Sequence, residues 1–315
     1  MSGADDDPQA RAEEIAPGPP RPLAPGLYLV ATPIGNLEDM TLRGLRVLRS
    51  ADRIACEDTR QTAKLLHYFG IDRPTVSYHK HNEMARTAEL IEELTAGARI
   101  AVVSDAGTPG IADPGGDLVA AAIAAGVPVF PVPGANAVVA AVIASGLPMD
   151  GGFSFRGFLP SKAGDRRSVL EALHARLRAP EPGGGAAPVE VFYETPHRIV
   201  EALADVEAVF GAEHRIAIAR ELTKLHEEFL RGTVSDVRAV LSRREVVRGE
   251  MVLLLEGTVA AAAGETISVA EAVRRLVTAG TEEKDALKQV ARERGMSKSE
   301  AYREWQRSRS ARAGL

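Results

Sequence analysis

Short apolar strands alternate with helical segments along most of the chain, and this alternation restricts the possible folds more than any other feature. Between residues 27 and 132, five predicted strands are each followed by a predicted helix. Several of these helices end at a glycine, for example Gly70 and Gly126, which is typical of a left-handed helix cap. Such alternation favours a mostly parallel sheet covered by helices. We therefore predict an α/β domain over residues 25–158.

The rest of the sequence divides into further parts according to its composition and its predicted secondary structure. Residues 159–263 carry a second series of strands and helices and are predicted to form a second α/β domain. Residues 264–315 are predicted to form a small helical domain. Residues 1–24 are rich in Pro, Gly, Ala and charge, which is typical of a disordered tail. The Gly- and Ala-rich stretches at 180–188 and 258–265 are predicted to be a flexible break and a linker.

Composition excludes several classes of protein. The formal net charge of -5 argues against a protein that coats nucleic acid by bulk charge. The single cysteine, Cys56, excludes an intrachain disulfide framework and a thiolate metal cluster, and it favours the cytoplasm. The acidic N-terminus does not resemble a signal peptide, and glycines and prolines interrupt the apolar stretch Leu118–Pro148 before it reaches membrane-helix length. Dinucleotide-binding G-x-G-x-x-G and Walker-type G-K motifs do not occur in the sequence.

Three loops that follow predicted strands are rich in small residues, and they span 31–37, 103–115 and 132–137. Open parallel sheets bind ligands at the carboxyl ends of their strands. The first and third loops are equally consistent with tight turns and with ligand contacts, the third through free amides at a helix N-terminus. The second loop favours function, because long loops of small residues are costly to order unless they are used. Its Asp105 is available to a hydroxyl or an ammonium group.

Three polar clusters also follow predicted strands. The run from Glu57 to Arg60 is equally suited to catalysis and to capping the next helix. His79 and His81 have an H-x-H spacing, but no third ligand at recognisable spacing accompanies them, so we predict no metal site. The segment 194–198, with its Glu, His and Arg, is either a functional cluster or a helix cap.

Several motifs occur together in a fixed order. They are Leu27–Leu37, Cys56–Arg60, His79–Glu83, Ser104–Pro109, Gly157–Pro160, Phe192–Arg198, Ala219–Lys224 and Gly249–Leu253. In this combination the chain resembles the bacterial 16S rRNA cytidine 2′-O-ribose methyltransferases of the tetrapyrrole methylase superfamily, over about residues 27–310. The resemblance implies a two-domain tetrapyrrole-methylase-like α/β fold and a homodimer. It also implies S-adenosylmethionine bound between the domains, and a cytidine in the decoding region of 16S rRNA as substrate, either in naked rRNA or in the assembled 30S subunit.

The resemblance also implies which residues contact the cofactor. They are Thr32, Pro33, Ile34, Gly35, Asn36, Ser104, Asp105, Ala106, Gly107, Ile111, Pro133, Gly134, Ala135, Phe192, Tyr193, Glu221, Leu222, Thr223 and Met251. The sequence departs from the family pattern at one place. After Pro-Gly the family commonly has Pro and then Ser or Cys, whereas this chain has Ala135 and Asn136. Backbone contacts survive that change, but a side-chain hydroxyl contact at position 136 is lost.

The C-terminal segment independently favours an RNA partner. Residues 287–306 have helix-turn-helix spacing, with Gly295 at the turn, and Ser268-x-x-Glu271 and Ser297-x-x-Glu300 match helix capping boxes. Residues 281–315 hold nine Lys and Arg against six Asp and Glu. Tyr302 and Trp305 lie among these Lys and Arg residues. Each aromatic side chain either stacks on nucleotides or packs in a core. The predicted RNA-binding residues are Lys162, Arg166, Arg167, Lys298, Arg303 and Arg307.

Methylation of a 2′-hydroxyl needs a base or a positive charge that stabilises the forming alkoxide. Glu57 or Asp58 is the first candidate base, and His79 and His81 are next. Arg60, Lys162 or Lys80 is a candidate for stabilising the alkoxide or orienting phosphate. One alternative is a small-molecule, tetrapyrrole-type methylase, which the basic C-terminal helices disfavour. Another is a non-catalytic nucleic-acid-binding regulator, in which the acidic loops would have no purpose.

Overall fold

The computed structural model describes residues 22–113, 115–178, 186–257, 269–278, 281–293 and 296–313. The predicted tail up to residue 21, residues 180–185 of the predicted break, the whole predicted linker, Ser268 and Gly295 lie outside the described residues. Leu23 is buried, and the Tyr28 hydroxyl donates to the Ala24 carbonyl oxygen at 2.7 Å, so the fold includes residues 23 and 24, which the sequence predicts to lie in the tail. By its contacts the chain divides into two compact units, Met1–Val259 and Ala260–Leu315. The two predicted α/β domains therefore belong to one unit.

The first sheet is entirely parallel, as predicted. Its strands are β1 (Gly26–Val30), β2 (Arg53–Cys56), β3 (Thr75–Ser77), β4 (Arg99–Val103) and β5 (Val129–Val132), and their order in the sheet is β3-β2-β4-β1-β5. Each strand is followed by a helix: α1 (Leu42–Ser50), α2 (Thr59–Tyr68), α3 (Glu83–Thr95), α4 (Gly116–Ala124) and α5 (Ala137–Ala144). The prediction of a helix-covered parallel sheet is confirmed.

Side chains of this sheet point alternately to its two faces, as the two-residue period of a strand requires. Val30 and Ile54 pack on one face against Leu45 of α1. Leu27 and Ile100 pack on the other face with apolar residues of α3 and α4. Both faces are thus covered, which explains why these strands are continuously apolar in sequence.

The second sheet is mixed rather than parallel. Its strands are β6 (Phe153–Phe158), β7 (Val189–Glu194), β8 (Arg215–Arg220), β9 (Glu228–Thr233) and β10 (Met251–Leu255), in the order β6-β7-β10-β8-β9. Only β6 and β7 are parallel neighbours, and the other pairs are antiparallel. Helices α6 (Ala163–Arg178), α7 (Ile199–Phe210) and α8 (Val234–Ser242) share a core with one face.

The predicted boundary after residue 158 is wrong with respect to the sheets. The sequence places β6 in the first domain, but this strand pairs with β7, so the second sheet begins at Phe153. Its side chains are mostly half-buried or exposed, so it lacks the apolar run that marks the other strands. Helix α5 lies against the other face of this second sheet, with Val138 and Val142 packed beside Val191 and Val252. A helix from the first series therefore closes the core of the second.

The C-terminal unit is helical, as predicted, with α9 (Val269–Thr278), α10 (Glu283–Glu293) and α11 (Lys298–Ala313). The capping box at the start of α11 is confirmed, because Ser297 Oγ accepts from the Glu300 amide and Glu300 Oε2 accepts from the Ser297 amide at 2.9 Å. Trp305 is 7% exposed, and its Nε1 donates to Glu283 Oε1 at 3.0 Å. Trp305 is thus a core residue, whereas Tyr302 is half exposed. Across the described residues, no helix is both long and apolar enough to cross a bilayer.

Candidate active site

The three small-residue loops meet at the carboxyl edge of the first sheet, because β4, β1 and β5 are neighbours there. Thr32 and Gly107 pair through two backbone hydrogen bonds, Thr32 N to Gly107 O at 2.8 Å and Gly107 N to Thr32 O at 3.1 Å. Thr108 Oγ1 donates to the Ala135 carbonyl oxygen at 3.1 Å, and Asn136 Nδ2 donates to Thr108 Oγ1 at 3.2 Å. The first two loops are thus joined through backbone, and the second and third through side chains.

Asn136, where the chain departs from the family pattern, has two structural roles. Its Oδ1 accepts a hydrogen bond from the Val139 amide at 3.1 Å and caps α5. Its amide nitrogen holds the second loop through Thr108. Asn136 therefore caps α5 and also binds the second loop. Short polar side chains such as asparagine are favoured at helix N-caps.

A strained segment from the second sheet faces the first loop. Glu221 and Thr223 have φ values of 52° and 66°, which are left-handed for non-glycine residues. A Cβ at Gly35 would lie 3.0 Å from Thr223 Oγ1 and 3.1 Å from the Leu222 carbonyl oxygen. Only glycine permits this approach. Backbone strain of this kind is kept where the surroundings determine it, often at ligand sites.

A cavity of about 280 Å³ lies where these loops and the second sheet meet. Its lining residues are Ile34, Ala106, Gly107, Thr108, Ile111, Ala112, Asp113, Asn136, Ala137, Phe158, Tyr193, Glu194, Thr195, Pro196, Ala219, Leu222, Glu250, Met251 and Val252. Most of this surface is apolar, with a few polar groups, as in small-molecule sites generally. A more open groove of about 690 Å³ shares Ile34, Ala106 and Glu250 with it.

The predicted cofactor residues are distributed unevenly over these two spaces. Ile34, Ala106, Gly107, Ile111, Tyr193, Leu222 and Met251 line the cavity. Thr32, Pro33, Gly35, Ser104 and Asp105 line the adjoining groove. Asn36, Pro133, Gly134, Ala135, Phe192, Glu221 and Thr223 line neither.

Phe192 and Glu221 show why some of the predicted cofactor residues do not line the cavity. Phe192 is buried in the core on the far side of the second sheet, because it alternates with Tyr193 along β7. Glu221 binds its neighbours instead, since its Oε1 accepts from Lys224 Nζ at 2.8 Å and from the Glu250 amide at 3.0 Å. Its role is to hold the strained segment in place.

The sequence did not predict most of the remaining lining residues. Thr108 and Asp113 lie in the second loop, whose length and small residues were the available signal. Phe158 and Ala219 come from strands of the second sheet, and only the tertiary fold brings them to the cavity.

The candidate catalytic carboxylates follow β2, next to the loop of β4. Asp58 is the N-cap of α2, and its carboxylate accepts from the Arg60 amide at 2.8 Å and from Arg60 NH2 at 2.9 Å. The hydrogen bonds from the Arg60 side chain and amide lower the pKa of Asp58 to about 2, so it is a weak base. The half-buried Glu57 carboxylate has no hydrogen bond or ion pair with another described residue. Of the two, Glu57 is the one available for chemistry.

The two candidate histidines lie one strand further away, after the edge strand β3. His79 and His81 contact each other edge to face, with ring centroids 5.9 Å apart. The His79 amide donates to Asn82 Oδ1 at 2.9 Å, which fixes the turn. Neither ring lines the cavity or the adjoining groove. No group of three or more potential metal ligands occurs in the part of the chain that the structure describes.

Arg166 is buried, which contradicts the predicted contact with RNA. It is 2% exposed and pairs with Asp205 of α7, with Arg166 NH2 and Asp205 Oδ2 2.6 Å apart. Its NH1 also donates to the Ser161 carbonyl oxygen at 3.2 Å. An RNA-binding residue needs an exposed side chain, whereas this guanidinium joins α6 and the segment before it to α7. Arg167 is exposed but also binds Asp205, while Lys162 is exposed.

The segment 194–198 is a structural clamp at the cavity wall. Arg198 NH2 donates to Glu194 Oε2 at 3.0 Å and to the Leu159 carbonyl oxygen. Glu194 Oε1 accepts from the Thr195 amide at 2.8 Å. The Glu and Arg of this cluster thus pair with each other, although the buried Nε of Arg198 has no hydrogen-bond partner among the described residues, and His197 is exposed.

Comparison with known proteins agrees with this architecture. The family model of the Tetrapyrrole (Corrin/Porphyrin) Methylases matches residues 26–238, so the chain belongs to that family. A relative from Halalkalibacterium halodurans named ribosomal RNA small subunit methyltransferase I is 45% identical over 281 residues, covering 88% of this chain and 93% of the relative. A Bacillus subtilis protein of the same name is 43% identical, covering 88% and 92%.

Solved structures share the fold. Uroporphyrin-III-C-methyltransferase from Thermus thermophilus superposes with a TM-score of 0.50 at 24% identity, covering 74% of this chain and 94% of that one. The methyltransferase CobJ superposes with a TM-score of 0.54 at 20% identity, covering 73% and 93%. These likenesses establish the two-sheet fold of the larger unit.

Proposed function

We propose that this chain transfers a methyl group from S-adenosylmethionine to the 2′-oxygen of a cytidine in the decoding region of bacterial 16S rRNA. The observation that carries the proposal is the convergence of three strand-end loops and the strained 221–224 segment around one cavity. The Glu57 carboxylate is near enough to act electrostatically on Asp113 of the cavity wall. The names of the relatives, which are ribosomal RNA small subunit methyltransferases, support the choice of substrate. The motif order from residue 27 onward supports the 2′-O position.

The residues at the cavity fit S-adenosylmethionine. Its walls are largely apolar, as an adenosine requires, and Gly107 at φ 85° presents backbone where a Cβ would press against Ile34 at 3.2 Å. Carboxylates on the wall suit the cationic sulfur of this cofactor. Ile34, Ile111, Tyr193 and Met251 would enclose it, and the bound cofactor would supply an electrophilic methyl carbon.

The chain's own groups then have distinct tasks. The cavity aligns the cofactor, and the adjoining groove is where we place the target nucleotide, because the two spaces share Ile34 and Ala106. Glu57 accepts the proton of the 2′-hydroxyl. Arg60, which is mostly exposed, binds phosphate or the developing alkoxide. Asp58 holds Arg60 and the start of α2 in place rather than moving a proton.

The proposal is tested by methylation of 30S subunits from a strain that lacks this gene. The purified chain and tritiated S-adenosylmethionine are added, and the rRNA is digested to nucleosides for chromatography. Label in 2′-O-methylcytidine is the expected result. Label on another nucleoside would correct the position, and no transfer to any RNA would refute the function. A parallel incubation with deproteinised rRNA shows whether the assembled subunit is required.

We further propose that the C-terminal helices contact the RNA backbone. Lys298, Arg303 and Arg307 are all exposed on α11. Changing each singly to glutamine is expected to weaken binding to 30S subunits and to reduce the slope of log affinity against log salt by about one. The control is Lys288→Gln on α10, because the Lys288 ammonium already pairs with Asp285 at 2.8 Å. Filter binding across salt concentrations measures both quantities, and three unchanged slopes would exclude this contact.

We also propose a cytoplasmic homodimer. Helix α5 is apolar on all sides, and Ile143 is 79% exposed on the face that does not pack against the second sheet. An exposed apolar patch of this kind is typical of a protein interface. Ile143→Asp is expected to shift the chain from dimer to monomer in sedimentation equilibrium, whereas Val240→Asp, at a position on α8 that is also exposed, is not. A wild-type chain that sediments as a monomer would contradict this proposal.

A further inference from the structure

The carboxylates that line the cavity are not equivalent. Of the three, Glu194 is paired with Arg198 at 3.0 Å, and Glu250 with Lys224 at 2.9 Å. Asp113 has no cationic partner among the described residues. The cavity wall therefore carries one negative charge that the protein itself does not balance.

Among the described residues, the groups whose charges and hydrogen bonds act on Asp113 are acidic or neutral. Glu57 follows β2, Asp105 and Ser104 follow β4, and Tyr193 lies on β7. Burial, and then the charges of Glu57 and Asp105, raise the pKa of Asp113 to about 6, although the Ser104 hydroxyl lowers it in part. Burial and the nearby carboxylates raise the pKa of the Tyr193 hydroxyl to about 12, so it stays neutral. Such surroundings favour a cation in the cavity.

The backbone next to this carboxylate is strained. Ala112, the residue before Asp113, has φ 63°, the only left-handed conformation of a non-glycine residue in the first sheet's described loops. The second loop around it is tied to Thr32 through backbone and to Ala135 through Thr108. A strained residue beside an uncompensated charge at a cavity wall is typical of a ligand-binding position.

We propose that Asp113 is the counter-ion of the cofactor's sulfonium and makes the cavity prefer S-adenosylmethionine over its demethylated product. This inference rests on the proposed function. The two molecules differ by one methyl group and one positive charge, since the product is a neutral thioether. The attraction is present before methyl transfer and absent after it, so Asp113 also favours release of the product. No residue outside the cavity is needed for this discrimination.

The test compares the binding of S-adenosylmethionine and S-adenosylhomocysteine by calorimetry, without RNA. In the wild type at pH 7.5 the methylated form is expected to bind more tightly. Asp113→Asn is expected to weaken S-adenosylmethionine about tenfold and S-adenosylhomocysteine less than twofold, because only the first interaction involves two charges. The matched control is Asp117→Asn, an exposed carboxylate in the first turn of α4, which is expected to change neither.

A pH series on the wild type tests the same inference without a variant. The ionised carboxylate attracts the sulfonium and the protonated one does not, so the preference for S-adenosylmethionine should grow as the pH rises through about 6. Taking the ratio of the two affinities cancels titrations that both ligands share. The ratio should be flat with pH in Asp113→Asn. A wild-type ratio that is flat, or an Asn variant that keeps the full ratio, would overturn the inference.

The binding measurements distinguish failure of the Asp113 inference from failure of the proposed function. If the wild type binds neither ligand, the cofactor assignment fails and the inference fails with it. If both bind with equal affinity at every pH, the assignment stands and the role of Asp113 is wrong. Thermal unfolding checks the variant, which should be as stable as the wild type or more so at neutral pH, because a carboxyl whose pKa is raised by folding is destabilising when ionised.

Discussion

Replacing Glu57 with glutamine is expected to lower the rate of methyl transfer by about 10²- to 10⁴-fold, the usual contribution of a general base. The amide keeps the size of the side chain but cannot accept the proton of the 2′-hydroxyl. The affinity for S-adenosylmethionine should fall far less than the rate, because Glu57 does not line the cavity and contributes there only through its charge near Asp113. Single-turnover methylation of 30S subunits at saturating cofactor measures the rate, and calorimetry measures the affinity.

The matched control for Glu57 is its neighbour Asp58. Asp58→Asn removes the charge that holds Arg60 but keeps an oxygen able to cap α2. Because the pKa of Asp58 is about 2, proton transfer to it is unfavourable, and its loss should slow methylation far less than the loss of Glu57. If Asp58→Asn is slowed while Glu57→Gln remains fully active, Asp58 rather than Glu57 is the general base. If both remain active, His79 and His81 become the candidates to replace.

Replacing Arg166 with methionine is expected to lower the free energy of unfolding by about 3 kcal/mol or more, because it leaves Asp205 buried beside a single exposed cation. Arg166 Nε donates to Asp205 Oδ2 at 2.7 Å, so the substitution also removes a charge-assisted hydrogen bond. Urea denaturation of the purified chain measures the loss. Methionine retains apolar volume, so the effect reports the charge rather than a large cavity.

Arg167 provides the control for the same carboxylate. Its side chain is 59% exposed, and Arg167→Met should cost less than about 1 kcal/mol. The double variant Arg166→Met with Asp205→Leu should recover much of the lost stability, since an apolar pair replaces a buried ion pair at little net cost. An Arg166→Met protein as stable as the wild type would show that the pair contributes nothing.

The pH dependence of this pair has a definite sign. Burial alone would raise the pKa of Asp205, but hydrogen bonds from Arg167 and Arg166 leave it below its ordinary value. A carboxyl with a lowered folded-state pKa contributes stability above its unfolded-state pKa. That contribution is present at neutral pH and is lost as the pH falls through the folded-state pKa.

Local signals in the sequence account for much of the first sheet. The two-residue and helical periods predict β1 to β5 and their helices, and Ser297 marks the start of α11 because its oxygen caps a free amide. The strand-end loops could be assigned to one edge, since the carboxyl ends of parallel strands share it. The sequence could not predict that β6 belongs to the second sheet, because the half-exposed side chains of this strand form no apolar run.

The site divides in the same way. Sequence alone determined that small-residue loops and carboxylates follow neighbouring strands, and that the chain resembles a methylase family. Only the tertiary structure decided which carboxylate is free and which is bound, because Glu57, Asp58 and Asp113 differ in their partners rather than in their type. It also decided that Arg166 is buried and that Phe192 faces away from the cavity. A residue type sets what a group can do, whereas long-range packing sets its solvation and its neighbouring charges.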